Sequence, residues 1–171
     1  MSEQTCSCTG GCAQNDCAER GSRGCGSCGG CGLCCGKTEP VTLDAPRKEF
    51  LVELETHGYL PVTRFVRTSS VSDELYAVAL EPVYLSSTGD TVETVRKTGA
   101  FLSAMAQEGL ISLDYGTPLD GYPYFEYTTS ALYQAFVKAT RRGGDCEGDT
   151  PYLELGSIAP TAKGRLSLAI S

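Results

Sequence analysis

The chain has 171 residues, of which 41% are hydrophobic and 20% charged, a composition that suits one globular domain with an appended segment. A formal charge of −7 argues against a general affinity for nucleic acid, while leaving room for a local basic face. No apolar run approaches the roughly eighteen residues needed to span a bilayer, which excludes a transmembrane helix.

The first forty residues read as a unit apart. Nine of the ten cysteines fall there, at Cys6, Cys8, Cys12, Cys17, Cys25, Cys28, Cys31, Cys34 and Cys35, and Leu33 is the one large apolar side chain among them. Such a stretch cannot bury enough apolar surface to offset the entropy of ordering its backbone, so any order it has must come from sulfur chemistry. Disulfides need an oxidising compartment, and the start Met-Ser-Glu-Gln-Thr-Cys has neither a basic region nor an apolar core of the secretory kind. Nine is also odd, although Cys146 would complete a pairing.

Metal thiolate chemistry fits better. Cys25-Gly-Ser-Cys28-Gly-Gly-Cys31-Gly-Leu-Cys34-Cys35 contains three overlapping C-x-x-C steps. Two thiolates on a tetrahedral zinc lie about 3.7 Å apart for a Zn–S length of about 2.3 Å, a span that a two-residue turn closes. Glycine permits the positive φ of such turns, and Gly26, Gly29, Gly30 and Gly32 are interleaved. The metal stays open between zinc and an iron–sulfur cluster. The run is similar to the ferredoxin spacing, but its last interval is short and no proline follows. The upstream Cys6-x-Cys8-x3-Cys12-x4-Cys17 resembles metallothionein spacing and supplies a second set of ligands, or a remote one. The alternative is a reduced tail that binds no metal.

The folded domain is expected over 41–171. Asp44 and Pro46 predict a helix start, Phe50, Leu51 and Leu54 its apolar stripe, and Gly58 its C-cap. Residues 59–67 alternate as a strand, and 75–85 favour a strand broken at Pro82. Asp90-Thr-Val-Glu93 has the form of a capping box for the longest helix, with Val92, Val95, Gly99, Leu102 and Ala106 as its stripe and Gly109 as its end. Residues 110–115 and 124–128 flank a Gly/Pro/Asp loop and predict a hairpin. Ser130 starts a further helix with Leu132, Ala135, Phe136 and Ala139 on its buried face, and residues 155–168 predict a short strand and a last helix. The class expected is α+β.

Ala104-Met-Ala-Gln-Glu-Gly-Leu-Ile-Ser-Leu resembles the third helix and wing of a winged helix-turn-helix domain, in which a helix ends in Gly-Leu-Ile and enters the wing. Ser157-Ile-Ala-Pro-Thr-Ala-Lys-Gly-Arg-Leu resembles the Leu-Thr-x-x-Gly-Arg segment that follows the wing in bacterial regulators, with Pro160 in place of leucine. Two departures stand out: a helix separates the hairpin from the Gly-Arg segment, and no tidy second helix precedes residue 91. The resemblance implies DNA binding, with Arg96 and Lys97 as the residues to test, and is compatible with a homodimer, which would double the phosphate contacts.

Charge disagrees, because Glu93, Arg96, Lys97 and Glu108 cancel on that helix and the wing carries Asp114 and Asp120 with no cation. Arg64, Arg67, Arg141 and Arg142 would have to converge on the same face to bind phosphates. A protein partner is the other reading, with the tyrosines 115, 122, 124, 127 and 133 as packing or contact residues. The one histidine, His57, is expected at a helix C-terminus rather than in catalysis, and no phosphate loop, nucleophile elbow or zinc-protease motif is present. The readings that remain are a metal- or redox-responsive regulator, an accessory electron-transfer or cluster carrier, and a thiol-rich metal buffer, in a reducing cytoplasm.

Overall fold

A computed structural model of the chain describes residues 39–70, 76–143 and 148–171. All ten cysteines lie outside the described residues, so the expected metal segment and the role of Cys146 do as well. Thr38–Ser171 is one compact unit.

Local signals set the first helix, α1 (Ala45–His57). The Asp44 carboxylate accepts from the Arg47 amide at 3.1 Å, Pro46 occupies the first turn, and Gly58 ends the helix at φ +78°. Leu51 and Leu54 are buried. Strand β1 (Leu60–Thr68) follows and pairs antiparallel with β2 (Tyr76–Val83). That strand continues through Pro82 instead of breaking there. As an edge strand it can hold a proline without losing an inner ladder bond.

The next helix, α2 (Val92–Gln107), starts from Thr91, whose hydroxyl accepts from the Thr94 amide at 3.2 Å. Asp90 does not cap it; its carboxylate takes the amides of Ser86 and Ser87 and closes the preceding loop. The buried stripe is Val95, Gly99, Leu102 and Met105, while Val92 is 43% exposed. A Cβ on Gly99 would stand 2.8 Å from the carbonyl oxygen of Pro82, so the absent side chain lets helix and strand meet. Gly109, at φ +73°, turns the chain into β3 (Ile111–Tyr115).

The expected hairpin does not form. Tyr124 adopts a left-handed conformation (φ 52°), and Phe125–Thr129 is a short helix, α3, followed by α4 (Ala131–Gly143). The partner of β3 comes from farther on: β4 (Thr150–Pro160) pairs Ile111 with Pro160, Leu113 with Ile158 and Tyr115 with Gly156. Strand β4 also pairs with β1 at every residue from Leu60 to Thr68. The antiparallel sheet therefore runs β2-β1-β4-β3, and α5 (Ala162–Ile170) closes the chain. The fold is α+β, with a four-stranded sheet and five helices.

Antiparallel partners share a face, so Leu60, Val62 and Ile158 point one way, where Leu51 and Leu54 of α1 and Met105 of α2 cover them. Phe65, Leu153 and Leu155 point the other way, beneath Tyr127 of α3 and Leu132 and Phe136 of α4. Val95, near the start of α2, belongs to the second cluster, whereas Leu102 belongs to the first. Helix α2 thus serves both layers.

Candidate functional site: a groove between two helices

The sheet carries one dense polar network. Arg64 Nε donates to Glu154 Oε2 at 2.6 Å and Arg64 Nη1 to Glu81 Oε2 at 3.3 Å, and the Tyr76 hydroxyl donates to the same Glu154 oxygen. The guanidinium lies 4.5 Å from the centre of the Tyr115 ring and 5.5 Å from that of Tyr76. The hydrogen bond from Arg64 holds the Glu154 carboxyl below its usual range, against the opposing effect of burial. Burial is the first cause that pushes the Tyr115 phenol up. The group, one guanidinium shared by two carboxylates and flanked by two phenols, joins all four strands. It is built to hold the sheet.

His57 is exposed at the end of α1, with Nδ1 2.9 Å from the carbonyl oxygen of Glu53. That places it at the helix C-terminus, as expected. The tyrosines divide. Tyr124 and Tyr127 are buried, their hydroxyls donating to the carbonyls of Gly156 at 2.7 Å and Pro61 at 2.9 Å, while Tyr122 is 38% exposed. Among the described residues no group of three or more His, Cys, Asp or Glu is arranged to hold a metal ion.

The cations proposed to read phosphate do not form one patch. Arg96 and Lys97 are both exposed on α2 but face different neighbours. Lys97 Nζ lies 2.8 Å from Glu93 Oε1 and borders a depression that also contains Glu49 and Glu53 of α1. Arg64 is committed to Glu154 and Glu81. Arg67 and Arg96 line one groove between α2 and α4, over β1 and β2.

That groove has a volume of about 360 Å³. Phe65 and Leu80 from the strands and Leu132 and Phe136 from α4 give it apolar walls, and Phe65 and Phe136 stack at 5.1 Å. It exists because Ala79, Ala135 and Ala139 stand where longer side chains would fill the space. Ala135 and Ala139, expected on the buried face of α4, are exposed. Thr140 is buried at 3% exposure, so the helix is rotated from the orientation read in sequence. No carboxylate lines the groove among the described residues.

Lys138 and Arg142 follow Ala135 and Ala139 by three residues each, which places them on the adjoining helix face. Both are exposed and neither makes an ion pair among the described residues, and the same is true of Arg96; in contrast Arg47, Arg64, Lys97 and Arg165 are each paired with a carboxylate. Sequence reasoning missed the floor residues Phe65 and Leu80 and the cation Lys138. Only the sheet register and the rotation of α4 bring them together.

No family model matches the chain, and comparison with curated proteins and with solved structures finds no similar chain. Among the described residues no helix is long and apolar enough to cross a membrane.

Proposed function

We propose that this chain is a metal-thiolate-binding protein whose folded part, residues 41–171, is a recognition module. The thiol-rich segment supplies the ligands, with Cys25, Cys28, Cys31 and Cys34 as the core set and Cys6, Cys8, Cys12, Cys17 and Cys35 completing a second site or a cluster. Overlapping C-x-x-C steps in a segment with almost no apolar residues carry this reading. The metal is zinc or iron–sulfur, and elemental analysis of protein purified without oxygen or chelator tests the proposal. Stoichiometric zinc in a colourless protein selects the first; iron with absorbance at about 400 nm selects the second. Protein that carries neither overturns the reading.

For the folded part, the groove between α2 and α4 favours a protein partner. It offers apolar area beside Arg96, which makes no ion pair among the described residues, whereas the charges of α2 and its C-cap Glu108 cancel. A second reading, a DNA-binding regulator of the winged-helix kind, has its own support. Helix α2 ends at Gly109 and passes straight into β3, and the Thr-x-x-Gly-Arg segment follows β4, the strand that pairs with β3. Against it stand the strand β2 in place of a helix before α2, and α3 in place of the hairpin's second strand.

A further inference from the structure

We infer that the groove between α2 and α4 seats an acidic amphipathic helix from a partner protein; this rests on the reading of the folded part as a recognition module. The groove is too small for a helix about 10 Å across and large enough for the apolar side chains along one face of one. Helix-in-groove recognition works in this way, with anchors at i, i+3 or i+4 and i+7 entering an apolar trough. The exposed alanines Ala131, Ala135 and Ala139 recur every four residues along α4, so a second helix can lie close to its backbone there.

The charge of the partner follows from the rim. Arg96 stands on one wall, and Lys138 and Arg142 line the adjoining depression on the outer side of α4, which shares Ala135 with the groove; none has an ion pair among the described residues, in a chain whose formal charge is −7. Cations left unpaired around an apolar trough favour carboxylates beside the anchors, for orientation and rate of encounter more than for raw affinity. Duplex DNA would use the same cations but has no use for the apolar floor formed by Phe65, Leu80 and Phe136.

The test uses the full chain and a labelled sixteen-residue peptide with leucine at i, i+3, i+4 and i+7 and glutamate elsewhere, followed by fluorescence anisotropy. Saturable binding that weakens with added salt is expected. Two variants separate groove from charge. The double variant Arg96→Glu/Arg142→Glu should weaken binding at least about tenfold by reversing the rim. Ala135→Lys adds a cation but fills the trough, so it should also weaken binding about tenfold; unchanged or tighter binding would show charge attraction alone and overturn the inference. Thermal melts confirm that both variants, altered only at exposed positions, stay folded. No binding of the peptide overturns the inference, as does a duplex DNA that binds in its place with the same dependence on Arg96 and Arg142. Since none of these readouts depends on metal, a failure here is distinct from a failure of the thiolate reading.

Discussion

A Cβ on Gly164 would lie 2.1 Å from the carbonyl oxygen of Leu110. The first turn of α5 is therefore pressed against the junction where α2 becomes β3. Thr161 holds it there: its hydroxyl donates to the carbonyl of Gly109 at 2.5 Å and accepts from the Gly164 amide at 3.0 Å, and its amide donates to Leu110. Gly164→Ala must displace backbone, since the blocking atom is not a side-chain tip. Helix propensity returns only about 1 kcal/mol, so a net loss of about 2 kcal/mol or more is expected by urea denaturation. Gly89→Ala is the control. Its nearest neighbour is a serine hydroxyl at 3.8 Å, and a change within about 0.5 kcal/mol is expected.

The Thr-x-x-Gly-Arg segment was legible as a motif, but its reason is a contact across 51 residues of chain that periodicity does not report. The same division runs through the fold. Asp44, Pro46, Gly58 and Gly109 act on their own neighbours, and the ends they predict for α1 and α2 are observed. Tyr124-Phe-Glu-Tyr-Thr128 has strand composition, yet its aromatic residues are used to bolt a helix onto the sheet through Gly156 and Pro61. Its place beside β3 is taken by β4, about forty residues later, and no local signal marks that choice. The groove was illegible for a similar reason. Leu132 is inside as its place on the apolar stripe predicts, but Thr140 is inside with it, and Ala135 and Ala139 are turned out.

The Arg64–Glu154 pair gives an acid-dependent prediction. The Glu154 carboxyl is held below its ordinary value, first by the hydrogen bond from Arg64, so folding favours its ionised form. The stability it adds is complete above the ordinary carboxylate value of about 4.3 and is lost as pH falls through the lower, folded one. Glu154→Gln should cost about 1 kcal/mol at pH 7, a figure kept small because the network is partly open to solvent. The gap between wild type and variant should narrow as pH falls below the ordinary carboxylate value of about 4.3. Urea titrations at pH 7, 5 and 3 measure it, and a gap of constant size would mean that Glu154 acts through shape and not through charge.

Metal removal should separate the two parts of the chain. Residues 41–171 have their own core in Leu51, Val62, Leu102 and Ile158, so a chelator should expose sites before Val41 to protease and leave the remainder folded. Cys28→Ser or Cys31→Ser should lower metal content more than Cys146→Ser, because the first two sit inside overlapping chelate steps. Elemental analysis of the three variants decides this. Equal losses would contradict the assignment of ligands, and a single cooperative melt of the whole chain on chelation would contradict the two-part organisation.

The last prediction concerns DNA, where the winged-helix likeness and the charges disagree. Arg96 and Lys97 are the cations on the helix that leads into β3, and the regulator reading needs both on phosphate. In the structure Lys97 is already neutralised by Glu93, and its surroundings include Glu49 and Glu53, which would repel a backbone of like charge. Arg96 turns instead toward the groove. A surface pair such as Lys97–Glu93 is worth well under about 1 kcal/mol, so Arg96→Ala/Lys97→Ala should leave thermal stability nearly unchanged. Under the regulator reading the double variant loses DNA binding, and the wild type shows a salt slope of about three to five phosphate contacts per protomer, doubled in a dimer. Under the protein-partner reading the wild type gives no gel shift at moderate salt. The double variant then loses its protein partner through Arg96 alone, so Lys97→Ala by itself should bind that partner normally. The single Lys97→Ala variant is thus the discriminating one: it weakens DNA binding if α2 reads phosphate, and changes nothing if the groove is the site.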